Sequence, residues 1–267
     1  MKRVTIFIDG TANDRISLSS AVALCRCLDG RLSVVHPRPP DDVVASPDGQ
    51  TVVLVKNEEE RAARRNDARA AYDDVCGALD IADWQESEET ATEAIVSHGL
   101  YSDAVVLERL SDEEGPEVLT LNTALFETPG PVLVTPPKAP SVVGRSVVVV
   151  WSPTLQSARA VRSALPILKR ADSVAVLTNK AKKEADPSAL LAYLATHGVS
   201  AKPGTFDGGT LTARGRGRAI LAAAADAGAD LLVMGAYGEN RLTALIGLGR
   251  ATRKVVSATQ IPALLQH

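Results

Sequence analysis

Aromatic residues are scarce in this chain. Phenylalanine, tyrosine and tryptophan make up only 3% of its 267 residues, whereas hydrophobic residues of all kinds make up 45%. Helices that cover both faces of a parallel sheet pack through small aliphatic side chains, so this composition favours an α/β fold. The length exceeds the usual size of a single domain and predicts two domains.

Cysteine and histidine are also rare. The three cysteines, Cys25, Cys27 and Cys76, lack the spacing of a zinc knuckle or of a redox pair, so we expect buried thiols in a reducing compartment. The four histidines are scattered and contain no i,i+4 pair of the kind that binds a metal on one helix. We therefore predict no metal site.

Long hydrophobic runs and an excess of positive charge are both absent. No apolar stretch approaches the length of about 20 residues that a transmembrane helix needs, so we predict a cytoplasmic protein without a membrane partner. The net charge of −3 arises from 29 basic and 32 acidic residues and gives no long-range positive field to hold a polyanion. Nucleic acid is therefore not an expected partner.

The chain contains an internal repeat. Three pairs of segments align: 4–36 with 146–178 without a gap, 103–108 with 230–235, and 131–134 with 262–265. Strands that alternate with helices in each copy predict right-handed βαβ crossovers and a doubly wound parallel sheet. The proline-rich stretch 135–140 is interpreted as a linker between domains at 1–137 and 144–267.

Two further segments carry structural predictions. In the longer first copy, residues 51–55 predict an extra strand, and a charged helix after it has one apolar face with Ala68, Tyr72 and Cys76. In the second copy, a cluster that extends from Gly208 and Gly209 through residues 214–218 precedes an alanine-rich helix. We interpret this cluster as a loop that leads into the helix, and the alternative is a basic loop that helps to hold phosphates.

A ligand-binding signal follows the fourth strand of the second copy, where parallel sheets bind their ligands. Gly235, Gly238 and Gly249 allow backbone amides to approach a phosphate closely. Gly249 also begins a predicted helix, whose free amides and dipole favour an anion. Arg250 and the Thr252 hydroxyl add further donors.

This loop resembles that of the universal stress protein family, and the resemblance extends over nearly the whole chain as two tandem domains. Nucleotide-binding members show Gly, two residues, Gly, nine residues, Gly and then Ser or Thr after the fourth strand. Residues 234–238, Met-Gly-Ala-Tyr-Gly, form the most specific fragment. Ten residues rather than nine separate Gly238 from Gly249, and Arg250 stands where the family has a small hydroxyl residue.

The resemblance implies a fold, a ligand and an assembly. The fold is two doubly wound domains, Rossmann-like and of the adenine nucleotide α-hydrolase-like type, which form an internal pseudo-dimer. The ligand is an adenine nucleotide, ATP, ADP or AMP, bound in the C-terminal domain. The presence of Mg²⁺ and the further pairing of two chains into a homodimer stay open at this stage.

Binding relatives usually place an aspartate at the end of the first strand, near adenine and ribose. The second copy has Trp151 and Ser152 there. Trp151 can stack on a base or seal the core, and Ser152 can bond a ribose hydroxyl or begin a turn. The first copy keeps Asp9, but its residues 108–117 are acidic and would repel a polyphosphate, so we predict no nucleotide there.

Three functions are compatible with these residues. The leading hypothesis is a regulatory module that binds an adenine nucleotide in the C-terminal half and changes partners or assembly. An enzyme that slowly hydrolyses or transfers phosphate is an alternative, although Glu239 is the only acidic residue in the loop and no catalytic residue is identified. A structural module whose two sites have both decayed is the third.

Overall fold

The computed structural model describes residues 1–38, 42–45, 52–55, 58–111, 116–181, 186–209, 211–236 and 249–267. Within these ranges the chain forms a sheet of ten strands, a separate two-stranded hairpin and eight helices.

The elements alternate along the chain as the repeat predicts. The strands are β1 Arg3–Phe7, β2 Arg31–His36, β3 Asp42–Ala45, β4 Val52–Val55, β5 Ala82–Glu86, β6 Ala104–Leu107, β7 Val132–Val134, β8 Ser146–Val150, β9 Ser173–Asn179, β10 Ala201–Phe206, β11 Leu231–Gly235 and β12 Ala263–Gln266. The helices are α1 Asp14–Leu28, α2 Glu58–Val75, α3 Ala91–Gly99, α4 Pro116–Glu127, α5 Leu155–Leu168, α6 Ser188–Thr196, α7 Ala213–Asp226 and α8 Arg250–Ala258. Among the described residues, no helix combines the length and the hydrophobicity needed to cross a membrane.

The large sheet consists of two equivalent halves. Its order is β10-β9-β8-β11-β12-β7-β6-β1-β2-β5, and every neighbouring pair is parallel except β7 and β12, which pair antiparallel at the centre. Counted outward from that pair, both halves have the same strand order, so an approximate two-fold axis relates them. Leu133 and Leu264 face each other at this axis and are fully buried. The predicted fold class, two doubly wound halves in an internal pseudo-dimer, is confirmed.

Helices cover both faces of this sheet. Helices α1, α2, α5 and α6 pack on one face, and α3, α4, α7 and α8 pack on the other. The apolar layer on each face runs unbroken from one half to the other, because β7 and β12 join the two sheets edge to edge. Residues 135–145 connect β7 to β8 without helix or strand. The domain boundaries at 137 and 144 stay a prediction.

The strand register corrects the ungapped alignment of the two copies. In the paired strands, Val4 corresponds to Val147, whereas the ungapped alignment places Ser146 opposite Val4. The second copy is one residue shorter between its first helix and its second strand, so the two registers coincide again from that strand onward. Asp9 of the first copy therefore corresponds to Ser152.

The longer first copy carries an additional hairpin, β3–β4, before α2, and α2 itself corresponds to α6 of the second copy. The apolar face predicted for the charged helix is present in α2, where Ala68, Tyr72 and Cys76 are buried against α1 and the sheet. The predicted extra strand is β4, which pairs antiparallel with β3 and stands apart from the large sheet. Thr51, the first residue of that prediction, lies outside the described residues.

The prediction of a loop at residues 214–218 was wrong, since this segment forms the first turns of α7. Thr212 begins the helix, and its Oγ1 accepts a hydrogen bond from the amide of Gly215 at 3.1 Å. Gly217 is buried, and a Cβ at that position would lie 2.9 Å from the carbonyl oxygen of Ala251 in α8. This glycine therefore serves close packing of two helices, not flexibility.

We expect Gly217→Ala to lower the free energy of unfolding by about 1–3 kcal/mol, although alanine is the better helix former. The added methyl group would also lie 2.9 Å from the Cβ of Lys254, so α7 and α8 would have to move apart. Urea unfolding followed by circular dichroism measures the effect. Ala222→Gln, at an exposed position of α7, is the control and should change stability by less than about 0.5 kcal/mol. Equal stabilities of the two variants would contradict the close contact.

Candidate functional site

The carboxyl ends of β8 and β11 form the switch point of the C-terminal half. These strands are neighbours, and the chain leaves β8 towards β9 on one side and β11 towards β12 on the other. Ligands of open α/β sheets bind in the crevice that such a divergence creates. The fold brings Trp151 and Ser152, which follow β8, next to Gly235, which ends β11. Gly249 begins the helix that returns from this edge to β12.

Gly235 lies against the first turn of α5. A Cβ on it would be 2.6 Å from the amide nitrogen of Ser157 and 2.7 Å from the carbonyl carbon of Gln156. The first turn of α5 is itself fixed by Thr154, whose Oγ1 accepts a hydrogen bond from that same amide at 3.3 Å. Only glycine permits this close approach of β11 to α5. Gly235 therefore places no side chain at the end of β11.

Helix α8 begins without a side-chain cap. Gly249 occupies the capping position, and among the residues that the structure describes no heavy atom outside its chain neighbours lies within 4 Å of where its Cβ would be. The first helical bond runs from the Arg253 amide to the Gly249 carbonyl at 3.0 Å, so the amides before it have no partner within the helix. Such an end can bind an anion. Gly238 lies outside the described residues, and only the backbone of Arg250 is described.

The remaining predicted site residues differ in their accessibility. Thr252 lies inside α8 with 4% of its surface exposed. Trp151 is half-buried and packs against the apolar cluster on the α5 face, while its amide extends the β8–β9 ladder through the Leu177 carbonyl at 2.8 Å. Ser152 places its hydroxyl 3.4 Å from that of Ser157, beside the start of α5. Contact of these residues with a nucleotide stays a prediction.

The equivalent edge of the N-terminal half is an acidic cavity of about 180 Å³. Its lining includes Asp9, Asp14, Glu108 and Glu117, whereas Asp112, Glu113 and Glu114 of the predicted acidic run lie outside the described residues. Glu108 occupies the place that Gly235 has in the other half, and burial raises the pKa of its carboxyl group. The N-terminal half thus has a carboxylate at the position where the C-terminal half has a glycine.

Asp14 is the buried carboxylate that the sequence analysis missed. It is the first residue of α1, is only 3% exposed, and accepts hydrogen bonds from the Gly10 amide at 2.9 Å and the Thr11 hydroxyl at 3.2 Å. Burial, and then the charge of Asp9, raise the pKa of Asp14 to about 6, against these hydrogen bonds. The signal that points to it is an acidic residue in the first helical turn, four positions after Gly10.

Arg109 links this cavity to the C-terminal half. It lines the cavity, and its Nη1 donates a hydrogen bond to the carbonyl oxygen of Ser257 at 3.0 Å. Ser257 belongs to the last turn of α8, where carbonyl groups lack helical partners and a cation is stabilising. One end of α8 therefore faces the C-terminal switch point, and the other is held by the first half.

Solved structures of other proteins share this architecture. A universal stress protein from Archaeoglobus fulgidus superposes with a TM-score of 0.70, covering 99% of this chain and 95% of that chain at 15% sequence identity. The chain has the fold of a tandem universal stress protein. No family model and no curated protein matches its sequence.

Two proteins from Pseudomonas aeruginosa share this universal stress protein fold over the whole chain. One, of unknown function, has a TM-score of 0.62 and 12% identity and is covered over 92% of its length. The other, a candidate universal stress protein, has a TM-score of 0.63 and 13% identity and is covered over 93% of its length. At these identities the chains share the fold.

Asp14 makes stability depend on pH. Because its pKa is higher in the folded chain than the ordinary 3.8, its contribution is fully present below about pH 4 and is lost as the pH rises through about 6. We expect Asp14→Asn to match the wild type near pH 4 and to exceed its free energy of unfolding by up to about 3 kcal/mol above pH 7. Denaturant unfolding at a series of pH values measures the difference.

Asparagine keeps the size of Asp14 and an oxygen that can accept from the Gly10 amide, so the comparison isolates the charge. Asp226→Asn, at an exposed position in the last turn of α7, is the control for the loss of a carboxylate. Parallel stability profiles of wild type and Asp14→Asn between pH 4 and pH 7 would show that Asp14 is ionised without cost in the folded chain.

Proposed function

We propose that this protein is a universal-stress-type regulatory module that binds an adenine nucleotide, ATP, ADP or AMP, in its C-terminal half. The fold supports the class of protein. The observation that carries the ligand is the open start of α8, with Gly249 uncapped and Gly235 free of side-chain bulk at the end of β11. The two halves are proposed to be the domains 1–137 and 144–267.

The phosphates in this proposal lie against the first turn of α8. The first amides of that turn have no partner within the helix, the helix dipole favours negative charge, and Gly249 adds no side chain of its own. Arg250 and Thr252, which belong to the same turn, are the proposed additional donors. Thr252 is buried, so we expect its contribution to be the smaller of the two.

The base and ribose in this proposal lie across the ends of β8 and β11. Ser152, which corresponds to Asp9 of the other half, replaces the family's aspartate with a neutral hydroxyl that can bond a ribose hydroxyl. Trp151, which is half-buried, is the proposed stacking contact for the base. A neutral hydroxyl binds ribose more weakly than a carboxylate does, so we expect modest affinity.

Binding, not turnover, is the proposed activity. Of the described residues that follow β8 and β11, residues 151–154 and 235–236 contain no carboxylate that could act as a general base. Glu239, the acidic residue considered for a slow hydrolase, lies outside the described residues. The proposed consequence of binding is a change in partners or in the assembly of chains.

We expect Gly249→Asp to weaken nucleotide binding without loss of stability. Aspartate is a better helix cap than glycine, so α8 should form at least as well, but its carboxylate would occupy the amides proposed for phosphate and repel it. Gly249→Asn is the matched control, since it adds the same bulk without charge. Calorimetric titration with ATP, ADP and AMP should show affinity at least about tenfold weaker for the aspartate variant than for the asparagine variant.

Each alternative function has its own outcome in this experiment. Wild-type protein that gives neither heat nor a thermal shift with saturating nucleotide is a structural module. Equal affinities of the two Gly249 variants would show that the phosphates do not bind at the start of α8. Release of phosphate that persists in Gly249→Asp would place hydrolysis at another site.

A further inference from the structure

A second cavity lies where the two halves meet. This junction pocket has a volume of about 470 Å³, and its polar lining is formed by Arg159, Arg162 and Ser163 of α5 with Gln266 and His267 at the end of β12. Its apolar wall comes from the end of α4 and the turn that follows. Cavities of this size at domain junctions are typical of small-molecule sites.

The charged side chains that line the junction pocket are two arginines. No aspartate or glutamate is among its lining residues, although the chain as a whole has a net charge of −3. Arg159 Nη1 donates a hydrogen bond to the main-chain oxygen of His267 at 3.1 Å. Arg162 has no hydrogen bond or ion pair to any residue that the structure describes. Burial and the charge of Arg159 both lower the pKa of His267, which reflects the positive potential there.

An aromatic surface stands beside these charges. Phe126 keeps 38% of its surface exposed, and its ring centroid lies 4.4 Å from that of His267 with an interplanar angle of 58°. Ser163 Oγ donates to Gln266 Oε1 at 3.1 Å, which fixes the polar floor next to the arginines. The pocket thus offers a cationic end and a flat apolar wall within one cavity.

The pseudo-two-fold axis shows that the fold does not require these residues. The register that equates Val4 with Val147 continues through α1 and α5, whose buried positions then coincide. It places Ile16 and Ser19 at the positions of Arg159 and Arg162. The axis likewise places Ser257 at the position of Phe126. Only one of two equivalent junctions carries the charges and the ring.

We propose that the junction pocket binds a small organic anion whose carboxylate or phosphate group contacts Arg162 and Arg159 and whose flat apolar part packs against Phe126. Arginine binds such groups through two parallel hydrogen bonds, and its planar head and the Phe126 ring both favour a flat ligand. The inference does not depend on the proposed nucleotide site. Gly235 pairs with Gln266, so the two sites are neighbours along this edge of the sheet, but the junction pocket is lined by none of the residues proposed for the nucleotide.

Titration of isotope-labelled protein with phenyl phosphate, followed by amide chemical shifts, tests this site. We expect shifts at Ser163, Gln266 and His267 with a dissociation constant below about 1 mM, since charge-assisted contacts and ring packing combine. Arg162→Gln should weaken binding at least about tenfold. Lys169→Gln, an exposed position just after α5, removes the same charge and should leave the affinity unchanged.

The other probes separate the parts of the ligand. Benzoate binding as tightly as phenyl phosphate identifies a carboxylate site, and inorganic phosphate binding as tightly removes the ring from the proposal. Benzyl alcohol, which lacks the charge, should not bind. Three results would overturn the junction pocket as an anion site. They are shifts confined to residues 235 and 249–252, equal affinity of Arg162→Gln and wild type, and the absence of shifts at about 10 mM phenyl phosphate. Loss of ATP binding alone would leave it intact.

Discussion

The antiparallel pairing of β7 with β12 determines the arrangement of the whole molecule. It joins the last strand of one half to the last strand of the other, so two five-stranded sheets become one. Each face then carries an apolar layer that neither half could close alone. Because the pair is antiparallel, equivalent helices lie on the same face. The two halves also contact each other through side chains, as in the 2.8 Å ion pair between Arg170 and Asp29.

One fold supports two very different edges. The C-terminal half presents Gly235 and an uncapped helix start, whereas the N-terminal half presents Glu108 and the buried Asp14 at the same place. The backbone is nearly the same in both, so the chemistry of each site is decided by a few side chains. Arg109 connects the two halves, because it lines the acidic cavity and donates a hydrogen bond to the C-terminal end of α8.

The alternation of strands and helices could be predicted because the apolar pattern of each element is local. The start of α8 at Gly249 could be predicted for the same reason. The helical state of residues 214–218 could not, because glycine propensity argues for a loop while contact of Gly217 with α8 decides the outcome. The correspondence of Asp9 with Ser152 depends on a single missing residue, which only the paired strands reveal. The burial of Asp14 could not be predicted, because the other residues that line its cavity come from parts of the chain that are distant in sequence.

Within the part of the chain that the structure describes, β5 and β10 form the two borders of the joined sheet. A row of unpaired peptide groups at such a border invites another chain to add a strand. β10 carries Pro203, which has no amide hydrogen to donate, and β5 carries Asp83 and Glu86, which would oppose a similar strand from a second copy. Both borders of the ten-stranded sheet therefore carry residues that disfavour the addition of a further strand.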